Sequence, residues 1–280
     1  MFDIENEKNE ETTPENQDIQ ENAESTEEVW HKTLERKLKK DFMRAIKDFD
    51  MIQEWETVLV WVSGWKDSML LGYLLSEYLK VAKDKFKIRW VYIFKEFLIN
   101  CDIEFEEKRK YYEDELWIPL ERVDIQLPED SKLNEWVWVS CQWCAYARRI
   151  ALMKLCQKYS ATKIILWHHM DDIVVTTFMN MIEWRKLKIM PPKNVMRQWD
   201  ITFIRPMAYL REKDILRLVL AKKIPYSPCS CPIWDNMNRN QIKHNLVWEN
   251  EKKFPKFVEN SFWALIRDFR EKYEKDWYSM

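Results

Sequence analysis

Only two glycines, Gly64 and Gly72, occur in 280 residues, and this limits how the chain can turn. Left-handed backbone is nearly free of strain only for glycine. Average glycine usage of about 7% would supply roughly 20. Sixteen tryptophans stand against the two glycines, and the two types together come to 18. Several tryptophans lie in polar, turn-like contexts: "QEWET" at Trp55, "IEWRK" at Trp184, "RQWD" at Trp199 and "PIWDN" at Trp234. In such contexts glycine ordinarily serves a turn. Many of these positions are therefore expected to be glycine in the source organism, encoded by UGA, a codon that translation tables read differently. The alternative is a truly tryptophan-rich chain, which UGG codons at Trp65 and Trp167 would establish.

The length suits one large domain or one domain with appendages, with enough chain to bury a core. The whole-chain charge of −2 hides a division. Residues 1–30 hold eleven acids and one base, Lys8, and so carry −10, which leaves +8 for residues 31–280. The acidic segment has few large apolar residues and is expected to be a disordered tail. The basic body suits a polyanion such as RNA, although a moderately basic surface without a partner fits the charge equally well. No run of 18 apolar residues is present and the N-terminus lacks an apolar leader, so no membrane span or signal peptide is expected and the cytoplasm is the default.

Apolar periodicity alternates between strand and helix along the body. Leu34, Leu38, Phe42 and Ile46 mark a helix over 31–54 with a basic opposite face. Strands are expected at 57–62, 88–94, 121–126, 162–167 and 201–206. Helices are expected at 66–82, 103–116, 144–159, 171–186 and 211–223, and residues 235–280 are mainly helical. This order predicts an α/β fold, an open parallel sheet of about five strands with helices on both faces. Ligands of such sheets bind beyond the carboxyl ends of the strands, where Ser63 and His168 fall.

Three motifs carry chemistry. The first is Ser63-Gly64-Trp65-Lys66-Asp67-Ser68, directly after an apolar strand and opening a helix. Backbone N–H groups there face an anion and the helix dipole adds attraction. Ser63 and Ser68 can donate hydroxyls to phosphate, and Asp67 can hold Mg²⁺ among phosphate oxygens. The spacing is not that of a Walker-type loop, and an ordinary strand-to-helix turn is the alternative. The second motif is Cys141-Gln142-Trp143-Cys144 followed by Arg148 and Arg149, with Cys229 and Cys231 in "PCSCP". A C-x-x-C pair serves thiol–disulfide exchange, zinc or iron–sulfur chemistry. Four cysteines would complete a tetrahedral zinc site; three on a cluster would leave one iron open to a ligand such as sulfide. Cys101 is expected in a loop and Cys156 buried on a helix. The third motif is "WHHMDD", with His168, His169, Asp171 and Asp172 after a strand end. Helix capping by the two aspartates is its simpler explanation.

Together these residues resemble the PP-loop (N-type) ATP pyrophosphatases, and among them the tRNA 2-thiocytidine synthetase branch. The family's SGGKDS matches Ser63 to Ser68 except at Trp65. Its C-x-x-C with RR matches Cys141, Cys144, Arg148 and Arg149, and its ATKIALGHHRDD is similar to residues 161–172. "KLKIMPP", "IRPMAYLREKDI", "PCSCP" and "RNQIK" (239–243) extend the likeness over about residues 31–265. Trp65, Trp117, Trp167, Trp184 and Trp234 stand where the family has glycine, which supports the codon reading independently. Met170 replaces an arginine, residues 92–107 lack a clear acidic strand end, and the late cysteines are one residue closer than in the family.

The resemblance implies an adenine nucleotide alpha hydrolase-like fold. It also implies a PP-loop ATPase domain over 55–225 and a C-terminal helical region over 226–280 that carries a third cluster cysteine. It implies an ATP-dependent, iron–sulfur tRNA sulfurtransferase acting on C2 of cytidine 32 in the anticodon loop. ATP binding would fall to Ser63, Gly64, Trp65, Lys66, Asp67, Ser68, His168 and His169. Catalysis would fall to Asp67, Asp171, Asp172, Cys141 and Cys144. The 4Fe–4S cluster would be held by Cys141, Cys144 and Cys229, with Cys231 the alternative to Cys229. Lys39, Lys40, Arg148, Arg149, Lys186 and Lys188 are the candidates for tRNA contact. Mg²⁺, a sulfur donor such as a cysteine desulfurase, and a homodimer are further expectations. The alternatives are a 2-thiouridine enzyme of the same family, or a non-catalytic tRNA- or metal-binding homologue if Trp65 is genuine.

Overall fold

The computed structural model describes residues 14–82, 85–95, 101–125, 141–227 and 238–277. Six strands form one sheet in the order β3-β2-β1-β4-β6-β5. The strands are β1 (Thr57–Val62), β2 (Lys87–Lys95), β3 (Leu120–Ile125), β4 (Lys163–Ile165), β5 (Lys193–Met196) and β6 (Ile201–Ile204). β1 pairs in parallel with β2 on one side and β4 on the other, with Val60 opposite both Trp90 and Ile165. Its residues from Val58 to Val62 are all buried, as a central strand covered on both faces requires. β5 runs antiparallel to β6 at the edge. It is the strand that periodicity missed: "KNVM" is short and half-exposed and shows no apolar alternation.

The helices are α1 (Pro14–Asp48), α2 (Lys66–Ala82), α3 (Cys101–Lys110), α4 (Cys141–Tyr159), α5 (Met170–Trp184), α6 (Glu212–Ala221), α7 (Asn238–Gln241), α8 (Glu249–Lys253) and α9 (Phe257–Trp277). Two wider, π-type segments, Tyr111–Glu115 and Ile242–Trp248, continue α3 and join α7 to α8. α1 buries Leu34, Leu38, Phe42, Ala45 and Ile46, the stripe that the sequence spacing marked. It starts at Pro14, inside the span expected to be a disordered tail. The acidic segment and the basic helix are thus one element from Pro14 onward, and composition misplaced that boundary. Lys39 on α1 bonds Glu35 at 2.6 Å and Glu77 of α2 at 2.7 Å, fastening the two helices. Cys101 begins α3 rather than lying in a loop.

The buried cluster is continuous from α1 through both faces of the sheet to Val258, Phe262 and Ile266 on α9. Arg211, 6% exposed, binds Asp171, Glu251 and Glu259, and so gathers α5, α6, α8 and α9 on one guanidinium. No described helix is long and apolar enough to cross a membrane.

With little glycine, the chain places other residues in left-handed backbone. Two of the eight described non-glycine residues at positive φ are Trp55 (φ 68°) and Trp117 (φ 58°). Both are 86% exposed, so packing gains nothing from the indole while the backbone carries the strain. Gly72 has a different reason: a Cβ there would lie 2.1 Å from the Tyr112 hydroxyl oxygen. Tyr112 is fully buried and donates to the Ser68 carbonyl at 3.2 Å, joining the end of α3 to the first turn of α2. Gly72→Ala is expected to cost about 1–3 kcal/mol of unfolding free energy, read by urea denaturation, because the ring has nowhere to move.

Candidate active site

The site forms at the carboxyl edge of the sheet, where the chain order reverses. After β1 the chain builds β2 and β3 on one side, then crosses to β4 on the other. That crevice is where open parallel sheets bind ligands. The turn out of β1 is left-handed at Gly64 (φ +84°), which a side chain adopts only with strain. Ser68, at the start of α2, closes the loop: its Oγ donates to the Trp65 carbonyl at 2.9 Å and accepts from the Ser63 N–H at 3.2 Å. The Ser63 and Ser68 hydroxyls are 3.0 Å apart. A short hydrogen-bonded loop at a helix N-terminus presents its amides to an anion.

Charges gather around this loop from five elements. Lys66 bonds Asp67 at 2.9 Å and Glu212 of α6 at 3.1 Å. Its carboxylate partners hold its pKa above the ordinary value against the opposing effect of burial. Lys243 also binds Glu212, at 2.8 Å. Burial raises the Glu212 pKa, but His169, Lys66 and Lys243 outweigh it and bring the carboxyl down to about 2. His169 meets three carboxylates, its Nε2 3.8 Å from Asp67 and 3.4 Å from Asp172 and its Nδ1 3.7 Å from Asp171. Asp172 accepts from Arg239 of α7 and from the His169 backbone N–H, and these charges hold it far below the usual carboxylate range. Burial pushes His168 down to about 3, so the ring is neutral at physiological pH.

The structure thus brings Ser63, Gly64, Trp65, Lys66, Asp67, Ser68, His169 and Asp172 together. Asp171 also meets His169, and in addition binds Arg211 and accepts the Glu212 N–H at 2.8 Å, so it ties the site to α6. Cys141 and Cys144 lie on the first turn of α4. Arg148, one turn later, stacks over Trp61 at the end of β1 at 5.0 Å, which places the start of α4 near the loop. Cys229 and Cys231 lie outside the described residues, as do the side chains of Cys141 and Cys144. Among the described residues no group of three or more His, Cys, Asp or Glu could hold a metal by itself. Cys156 is buried, which raises its thiol to about 12 and makes it inert. Of the tRNA candidates, Lys40, Arg149, Lys186 and Lys188 are exposed, whereas Lys39 is tied into its two ion pairs.

Glu212, Arg239 and Lys243 were visible only as letters in family-like motifs, because nothing local marks a residue that meets the loop through tertiary packing. Trp61 and Trp167 are also informative. They lie at the ends of neighbouring strands with ring centroids 4.2 Å apart, and Trp167 stacks on His168 at 6.1 Å. Two buried indoles thus meet close to the loop, and among the described residues the Trp61 Nε1 has no hydrogen-bond partner.

The pKa shifts set a pH dependence. His168 titrates at 6.5 when free and about 3 when folded, so protons bind preferentially to the unfolded chain as pH falls below 6.5. Glu212 and Asp172 are depressed, so their stabilisation is also lost on acidification, below the ordinary carboxylate range. Stability is expected to fall from pH 6.5 downward in urea titrations, and His168→Asn to flatten the upper part of that fall.

A family model described as the PP-loop domain matches residues 32–250. A tRNA-cytidine(32) 2-sulfurtransferase from Polaromonas sp. is 35% identical over 244 residues, 83% of this chain and 74% of that protein. One from Idiomarina loihiensis is 34% identical over 243 residues, 83% of this chain and 76% of that protein. Among solved structures, the U34-tRNA thiolase NcsA from Methanococcus maripaludis with its 4Fe–4S cluster shares the fold. Its TM-score is 0.70 at 19% identity, over 87% of this chain and 80% of that one.

Proposed function

The chain belongs to the PP-loop family, within the branch of the tRNA-cytidine(32) 2-sulfurtransferases, and from that premise we propose that it thiolates C2 of cytidine 32 in tRNA at the expense of ATP. The observation that carries this reading is the loop at the switch point: a left-handed Gly64, two serine hydroxyls and a helix N-terminus ringed by Lys66, Asp67, His169 and Asp172.

ATP lies with its phosphates on the loop amides and the Ser63 and Ser68 hydroxyls. Asp67 and Asp172, on either side of His169, supply two carboxylates for Mg²⁺, which completes its shell with phosphate oxygens and water. The absence of an all-protein cage among the described residues accords with that mode of binding. The cytidine O2 attacks the α-phosphorus, the bond to the β-phosphate oxygen breaks, and pyrophosphate leaves. A poor leaving oxygen has become a good one. Sulfide-level sulfur then attacks C2, the C2–O bond breaks, and AMP leaves with the oxygen. Cys141, Cys144 and Cys229 or Cys231 would hold a 4Fe–4S cluster that would supply that sulfur; replenishing it from the persulfide of a donor such as a cysteine desulfurase would also take two electrons from an external reductant. An unpaired loop base is reachable without opening a duplex. The exposed Lys40, Arg149, Lys186 and Lys188 contact the RNA backbone.

Glycine at the tryptophan positions is part of the same proposal. The left-handed Trp55 and Trp117 support it beside the composition. Peptide mass spectrometry of the protein from its source organism should read glycine at positions 65 and 167, and tryptophan there would overturn this part. The functional test compares two expressed forms, reconstituted anaerobically with iron and sulfide and given tRNA, ATP and Mg²⁺. The form with glycine at positions 55, 65, 117, 167, 184, 199 and 234 should make 2-thiocytidine. The tryptophan form should be at least about a hundredfold slower, since small displacements of a reacting group cost that much. Absence of ATP-dependent thiolation and cluster absorbance in the glycine form would refute the assignment; product at a uridine would select the 2-thiouridine alternative. Lys186→Glu with Lys188→Glu should weaken tRNA binding and reduce its salt dependence by about two counterions, as read by filter binding.

A further inference from the structure

Lys108 is 1% exposed, although lysine is among the residues least often buried. It comes from α3, on the β2 side of β1, away from Arg239 of α7 and Lys243 of the segment that follows it. Its methylenes lie against the loop backbone: a Cβ at Gly64 would be 2.6 Å from its Cε and 2.8 Å from its Cδ. Gly64 is therefore required twice, once for its dihedral and once for the lysine stem. The Lys108 ammonium donates to the Ser227 hydroxyl at 2.5 Å, and the Ser227 N–H donates to the Gly64 carbonyl at 3.0 Å. Loop, lysine and serine thus close a ring of contacts among three distant parts of the chain.

We propose that Lys108 is a positioning residue that clamps the Ser63–Ser68 loop to the Ser227 segment and so preorganises the loop for the polyphosphate of a nucleotide. The inference rests on the nucleotide-binding reading and deepens it. Freezing the loop before the ligand arrives removes the ordering cost from binding. A fixed positive charge behind the loop also adds to the field of its amide dipoles.

The test is calorimetric titration of cluster-free full-length protein, in the glycine form, with ATP and Mg²⁺. Lys108→Met keeps the stem and removes the ammonium, and Ser227→Ala keeps the ammonium and removes the Ser227 hydroxyl that accepts from it. Each single variant should weaken ATP about tenfold, read at a temperature where the nucleotide-free variant is shown by its melt to be folded. The double variant should bind no more weakly than Lys108→Met, because both changes break one clamp. Unchanged affinity in folded Ser227→Ala, or effects that multiply in the double variant, would overturn the clamp while leaving the nucleotide site standing. Failure of the unsubstituted glycine form to bind ATP would overturn both. If Lys108→Met does not fold, the Ser227→Ala titration alone decides.

Discussion

The left-handed turn at Gly64 is the constraint on which the active edge of the sheet depends. β1 is buried on both faces and held between two parallel partners, so the chain leaving it has one direction in which to go. α2 must begin at once if its apolar face is to pack back on the sheet. Only a residue without a Cβ makes that corner while leaving room for the Lys108 stem. Ser63, Lys66, Asp67 and Ser68 take their positions from this single corner.

Around the corner the charges are almost all paired. Asp67 and Lys66 of α2, Glu212 of α6 and Lys243 form one run of alternating links, and Asp172 of α5 pairs with Arg239 of α7 beside it. Partners removed from water are costly to break one at a time, so the network fixes carboxylates and cations in place before any ligand binds. The neutral His168 and the bridging His169 belong to the same economy of charge: like-signed groups are kept apart and opposite ones interleaved. Such a site is suited to a substrate that brings several negative charges and a divalent cation with it.

The strand–helix alternation was legible because β1, β2, β4, α2, α5 and α6 each carry a clear apolar period. β5 was not, since an exposed four-residue edge strand has no burial pattern to display. The start of α1 was also misplaced: acidic composition argues against a core, but it does not prevent a helix from extending outward from an anchored end. Of the site, the loop and the His–Asp motif could be read because their residues are neighbours in the chain. The separate partners of Asp171 and Asp172 could not, because Arg211 and Arg239 reach them from elements distant in the chain.

The tryptophan excess shows the two sources of information meeting. Composition counted too few glycines, and the backbone then placed Trp55 and Trp117 in left-handed geometry on the surface. By itself the sequence determined the α/β alternation, the loop after β1, the cysteine spacing and the shortage of glycine, all of which are local or periodic properties. Only the tertiary structure decided which charges face the loop, that Asp171 anchors α6, and that Lys108 and Ser227 close on Gly64 from distant parts of the chain. The reason is physical: periodicity records which face is buried, whereas pairing of buried charges depends on how separate elements cross, and no local pattern encodes that crossing.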